Sequence, residues 1–431
     1  MKYYSLNKNA PLVNFREATI KGLAPDKGLY FPAHIPLFGN DMHSEIMQGT
    51  NEDIAYRAIL PYVGDVIPSE RLKKIVTETI NFPIPLIPLD SFTWSLEMYH
   101  GPTLAFKDIG ARFMSRCLGY FAQQENRKLT VLVATSGDTG GAVADGFYGV
   151  DGVDVVILYP SGKVSNVQEK QITSLGENIH ALEIQGDFDD CQRIVKDIFN
   201  NKEVNDKLFL TSANSINVAR WLPQQFYYLF AWKELGSKIK PVISVPSGNF
   251  GNLCAAMVAH ISGMPVKKFI AACNSNDTIP RYLQTGKYRP NKTTSTISNA
   301  MDVANPSNFV RIEELYHHDL SRLKDMLIAV KVTEEETAGA INRALLQYNY
   351  LLDPHGAVAY CALKKFQETN PESLGYLVET AHPVKFFNAV ESITGRTVEI
   401  PDQVLLQLQK KKRSLVLEPD VKQVIDFLFS L

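Results

Sequence analysis

Apolar and polar positions fall in blocks along the middle of the chain, and the blocks predict strands alternating with helices. Residues 129–134 form an apolar run of strand length, and 153–159, 179–184, 208–211 and 242–245 repeat it. Residues 94–99 and 374–379 add an earlier and a later strand. Between them the spacing predicts helices over 109–123, 141–148, about 165–175, 187–199 with Asp187 as cap, about 217–235, and onward from Asn252. Apolar runs without alternation mean strands covered on both faces, so open, mostly parallel α/β sheets are expected. Ahead of this pattern, residues 52–60 and 69–80 read as helices. Prolines at 83, 85 and 88 then force an extended connection. The last third reads as more helical, with the strand at 374–379.

Composition narrows the setting. The 431 residues are 45% hydrophobic and 21% charged, ordinary for a globular protein of two or three domains. A net charge of −2 gives no bulk attraction for nucleic acid or an anionic membrane. The five cysteines, Cys117, Cys191, Cys254, Cys273 and Cys361, form no CxxC pair. That disfavours a zinc ribbon or a disulfide framework and fits a reducing compartment. No apolar leader follows Met1, and no stretch reaches the ~20 apolar residues of a membrane span. The expected location is the cytoplasm.

In open α/β sheets, ligands bind beyond the carboxyl ends of the strands. Lys107 lies there, between the turn His100-Gly101-Pro102 and a helix entrance at Asp108, flanked by Leu104, Ala105 and Phe106. An amine that loses hydration at such a corner has a lowered pKa and can serve as nucleophile or base. Ser136-Gly137-Asp138-Thr139 crowds small and hydroxyl residues at a helix N-terminus, a cradle for a carboxylate or phosphate. Ser247-Gly248-Asn249-Phe250-Gly251-Asn252 is a second strand–loop–helix cradle. It lacks both the Walker ending and the Gly-x-Gly-x-x-Gly spacing, so it fits one phosphate rather than a dinucleotide. Thr380 sets a hydroxyl at a strand end, with His382 and Pro383 following. Asp353 reads as a helix cap beside His355. Lys163, Ser161, Ser212, Asn214 and Arg220 are further anion-binding candidates.

A desolvated lysine, a phosphate loop, a second anion loop and a strand-end hydroxyl together suggest pyridoxal 5'-phosphate. The motifs His-Gly-Pro-Thr-Leu-Ala-Phe-Lys-Asp, Ala-Thr-Ser-Gly-Asp-Thr-Gly, Pro-Ser-Gly-Asn-Phe-Gly-Asn and Thr-Ala-His-Pro resemble, in this order, those of the threonine synthases of the longer bacterial and fungal type. The resemblance covers nearly the whole chain. It implies the tryptophan synthase β-like fold (fold type II): an N-terminal segment at 1–80, a large cofactor-binding domain from 81–110 and 225–431, and a small α/β domain at 111–224. It implies conversion of O-phospho-L-homoserine and water to L-threonine and phosphate, by a monomer or homodimer. By the same resemblance Lys107 is the Schiff-base lysine and Gly248 to Asn252 hold the cofactor phosphate. Thr380 faces the ring nitrogen, and Ser136 to Thr139 hold the substrate carboxylate. Many relatives in the wider fold carry asparagine where this chain has Asp138, which leaves two readings for Asp138: a protonated acid or a helix cap. Lys163, Ser161, Ser212, Asn214 and Arg220 are the candidates for the substrate phosphate. The rival functions are a dehydratase or cysteine-synthase-like replacement enzyme, a non-catalytic binding relative, and a nucleotide-binding enzyme.

Overall fold

The computed structural model describes residues 1–125, 127–236 and 238–431. Among these, two large sheets carry the architecture. One has six strands in the order Leu327–Lys331, Lys268–Cys273, Val242–Pro246, Gly375–Glu379, Thr93–Glu97 and Leu86–Pro88. All neighbours are parallel except the last pair, which is antiparallel. The other has five parallel strands in the order Leu415–Leu417, Ile179–Ile184, Val153–Pro160, Leu129–Ala134 and Phe209–Ser212. Leu129–Ala134 and Val153–Pro160 are buried at every position, as unbroken apolar runs demand when helices cover both faces. No helix among the described residues is long and apolar enough to cross a membrane.

The N-terminal segment is part of the core. Tyr3–Ser5 pairs antiparallel with Tyr30–Pro32. Phe15 packs its ring 6.5 Å from Phe113 and 6.4 Å from Phe121, on the helix that Lys107 opens. Arg311 ties three regions together. Its guanidinium lies 4.8 Å from the Trp221 ring and donates to Tyr30 O (3.1 Å), Ile216 O (2.5 Å) and Ser215 O (3.3 Å).

Several expectations need correction. Residues 225–431 were expected with the larger sheet, but strand Leu415–Leu417 pairs with Ile179–Ile184 of the smaller one. This C-terminal strand is only three residues long and follows a run of four cations, so it carries little strand signal. Lys268–Cys273 and Leu327–Lys331 are strands that the apolar pattern did not single out. The first has two alanines among its six residues, a weak strand former. The expected connection near Pro85 instead supplies the edge strand Leu86–Pro88, where proline is tolerated. The helix expected over 217–235 is interrupted by a 3-10 turn, Leu222–Gln224, at Pro223, whose ring cannot continue the α-helical ladder.

Candidate active site

The Lys107 corner is built by short-range constraints. Leu104 sits in the left-handed region with φ 58°. Thr103 closes the turn: its N–H donates to Asp108 Oδ2 at 2.9 Å and its hydroxyl donates to Oδ1. A Cβ on Gly101 would lie 2.4 Å from Asp108 Oδ2, so glycine is required there. Burial pushes the Asp108 carboxyl up to about 6, against the pull of Thr103.

The corner is also zipped to the loop after strand Gly375–Glu379. The Phe106 N–H donates to Thr380 O at 2.8 Å, and the His382 N–H to Leu104 O at 3.1 Å. These bonds make a bridge between Ala105 and Ala381. Tyr227 OH donates to Phe106 O at 2.7 Å from the helix behind. Lys107 is therefore fixed relative to Thr380, whose own hydroxyl makes no hydrogen bond among the described residues. Burial lowers the Lys107 ammonium to about 8; Asp138 pulls the other way, and Lys385 and Arg220 add to the drop.

The loop after Val242–Pro246 leads into helix Gly251–Ser262. Phe250 takes a left-handed φ of 62°, and no side chain caps the helix. Among the described residues, no backbone acceptor takes the N–H groups of Gly251, Asn252 or Leu253. Asn252 Oδ1 accepts from Tyr228 OH at 2.8 Å, while its Nδ2 is buried without a partner. Leaving such a donor unpaired costs about 1–3 kcal/mol, and an anion at this N-terminus would satisfy it. Asn249 is a brace rather than a free donor. It donates from Nδ2 to Ser215 Oγ at 2.8 Å and accepts the Ser307 N–H at 2.6 Å. Gly248 is pressed on Met301, whose Cα would lie 2.6 Å from an added Cβ.

The loop after Leu129–Ala134 is organised by Thr135. Its hydroxyl oxygen accepts the N–H of Gly137 (3.0 Å) and of Gly140 (2.8 Å). The half-buried Ser136 and Thr139 hydroxyls have no bond among the described residues. Gly137 takes φ 140° and packs on Gln168. Asp138 fits neither reading offered for it. It opens the helix but does not cap it. Its Oδ1 pairs with Lys385 Nζ at 2.7 Å and accepts from Gln168 Nε2 at 2.9 Å. Burial alone would raise this carboxyl; the charges of Lys385 and Lys107 hold it well below the usual range, so it is ionised.

Arg220 comes to the same place. It is buried, its Nε and Nη1 have no acceptor, and Asp108 is its compensating charge. The half-buried Asn214 side chain is also unbonded among the described residues, whereas Ser212 Oγ accepts the Asn214 N–H at 3.3 Å. Lys163 is not brought in: it is exposed and its charge acts on Cys191. Ser161 donates to Glu183 at 2.7 Å. His355 is a support. Its Nε2 accepts the Ala300 N–H at 3.2 Å, so Nδ1 carries the proton and donates to Asp353, which caps helix Pro354–Thr369. His382 Nδ1 accepts from the Val384 N–H at 3.1 Å, and burial pushes its pKa down to about 4. Sequence reasoning missed Tyr227 and Lys385, and it placed Thr103 and Thr135 in the motifs without assigning them a role; Lys385 left a signal as a lysine five residues past the strand-end Thr380.

Comparison with known proteins agrees with this geometry. Residues 78–377 match the family described as pyridoxal-phosphate dependent enzyme. Residues 2–80 match the threonine synthase N terminus and 356–428 the threonine synthase C-terminal region. The chain is 43% identical over 406 residues to the threonine synthase of Escherichia coli K12, covering 94% of each. The crystal structure of threonine synthase from Escherichia coli superposes with a TM-score of 0.93 at 41% identity over 100% of both chains. The PLP-bound threonine synthase of Brucella melitensis gives 0.94 at 36% identity, over 99% of this chain and 98% of that one. Fold and site together define a fold type II enzyme that works with pyridoxal phosphate. Within that class, the chain belongs to the threonine synthase family.

Proposed function

We infer that this protein is the enzyme that converts O-phospho-L-homoserine and water to L-threonine and phosphate, the last step in making threonine. The observation that carries the reading is the Lys107 corner: a desolvated amine locked by backbone bonds to the strand end that bears Thr380. Bound pyridoxal phosphate supplies an aldehyde that captures amines and a conjugated ring that accepts electron density from the substrate carbon. The residues fit that group. Lys107 would hold the aldehyde, Thr380 the ring nitrogen, and Asn252 Nδ2 with the uncapped helix N-terminus the phosphate. Gly248 gives that loop its close packing, and Asn249 and Phe250 set its shape ahead of Gly251.

Lys107 then acts as a base. With a pKa of about 8, its free amine at pH 7 is about 300 times more abundant than that of an unshifted lysine. Freed from the aldehyde, Lys107 Nζ would take the α-proton as general base and return a proton to the substrate as general acid. A neutral Thr380 hydroxyl does not enforce a positive ring nitrogen as a carboxylate would. The unbonded hydroxyls of Ser136 and Thr139 and the N–H groups of Asp138 and Thr139 form the carboxylate cradle, shaped at Gly137. Arg220 and Asn214, with unpaired donors, are the groups we assign to the substrate phosphate. Guanidinium suits a phosphate dianion because it can donate two parallel bonds. Lys163 contributes at most long-range attraction.

The reading extends to a cytoplasmic monomer or homodimer acting on a small molecule, with no nucleic-acid partner. Its support is the net charge of −2 and five free cysteines, four of them buried. The assay that decides the function measures phosphate release from phosphohomoserine beside ammonia release from serine and threonine. Ammonia without phosphate would make this a dehydratase instead.

A further inference from the structure

The buried centre holds two lysines, Lys107 and Lys385, with Asp138 facing both and Asp108 facing Lys385. Lys385, on the 3-10 turn Pro383–Phe386, is fully buried. Its Nζ donates to Asp138 Oδ1 at 2.7 Å and to Thr103 O at 2.8 Å. Lys107 makes no ion pair within 4.0 Å among the described residues; its Nζ lies 5.8 Å from the Phe106 ring. Asp138 is thus committed to the lysine that has no assigned task. A buried carboxylate attracts whichever ammonium is nearest, and the attraction is strong at low local dielectric. Were Lys385 absent, the charge of Asp138 would fall on Lys107 and hold it protonated, useless as nucleophile or base.

We propose that Lys385 is a positioning residue that takes up the Asp138 charge and so lets Lys107 give up its proton more readily. The proposal rests on the reading of Lys107 as the cofactor's lysine. Thr103 gives the pairing its precision, because it binds Lys385 through its carbonyl and Asp108 through its N–H and hydroxyl. Replacing Lys385 also withdraws a positive charge from Asp108, which keeps Arg220 as its opposing charge. Arg220 faces Lys107 and Asp108, Asp145 faces Asp108, and His382 faces Lys385 from the same loop.

The test uses full-length protein freed of cofactor and follows the rate at which it captures pyridoxal phosphate, read by visible absorbance across pH. Circular dichroism checks each variant for folding. In the wild type the rate should rise with a midpoint of about 8. Lys385→Met should move the midpoint up by at least one unit, which slows capture at pH 7 by about tenfold. Lys385→Arg should keep the wild-type midpoint. Adding Asp138→Asn to Lys385→Met should bring the midpoint back to about 8 or below. If Lys385→Met does not fold, Asp138→Asn alone decides, since it should lower the midpoint below that of the wild type. An unchanged midpoint in Lys385→Met, the same rise in the double variant, or a rise in Asp138→Asn overturns the proposal. A wild type that captures no cofactor at any pH overturns the functional reading itself.

Discussion

The loops at 135–139 and 247–252 look alike in sequence and behave differently. Each follows a buried parallel strand, is built of glycine and small polar residues, and opens a helix. In the first, Thr135 takes two backbone N–H groups for itself, and Asp138 brings a charge already matched by Lys385. In the second, no side chain among the described residues accepts the first N–H groups of the helix, and a buried amide donor has nothing to bind. One loop is largely satisfied by its own chain and offers a few free hydroxyls at a half-buried rim. The other is incomplete without an anion. A substrate that must enter and leave suits the first, and a resident phosphate suits the second. Donors left unpaired raise affinity for a ligand at the expense of the empty protein, so the difference is measurable.

Lys107 stands between the two, and its loss should have the largest effect. Lys107→Ala removes anchor and base together, and turnover should fall by at least about 10³-fold. Phosphate release by the variant at anything near the wild-type rate would sink the mechanism. Next is Asn252→Asp. It keeps the acceptor for Tyr228 but replaces the orphan donor by a negative oxygen. Cofactor affinity, measured by titration, should fall by about a hundredfold, with little change in the stability of the cofactor-free protein. Thr135→Val should do the reverse. It strips two N–H groups of their acceptor, and unfolding by denaturant should show a loss of about 2–3 kcal/mol. Cofactor affinity should stay within about threefold. If both variants moved the same quantity, the contrast between the loops would be false.

This contrast also marks what the sequence could reveal. Strand ends were legible because apolar runs of six residues stop abruptly at glycine and hydroxyl residues. Caps with their own motif, such as Asp187 and Asp353, were legible because their partners lie within three residues. The pairing of Asp138 with Lys385 was not. The two residues are far apart in sequence, and a lysine in a loop ordinarily points to solvent. Thr135 was passed over because its bonds depend on the tight path of the backbone at Gly137. The edge strand Leu415–Leu417 was missed because short, exposed strands carry no alternation to read.

The smallest expected effect compares two strained residues, Leu104 at the lysine corner and Phe250 in the phosphate loop, both left-handed. That conformation costs an L-residue about 1–2 kcal/mol. Glycine would relieve it but would leave the chain freer when unfolded, which costs about 0.5–1 kcal/mol. It would also lose a side chain that is 4% exposed at either position, worth about 1.5–3 kcal/mol of burial. Leu104 packs in the cluster with Val167, Ala381 and Val384, and Phe250 sets its ring 5.4 Å from Phe309. Burial therefore outweighs relief of strain, and Leu104→Gly and Phe250→Gly should each destabilise by about 1–2 kcal/mol. Asparagine tolerates the left-handed region without glycine's entropy, so Leu104→Asn reports lost burial and retained geometry together. If Leu104→Gly were instead stabilising in denaturant unfolding, strain rather than packing would dominate the lysine corner, and the corner would be held open by its neighbours instead of by its own core contacts.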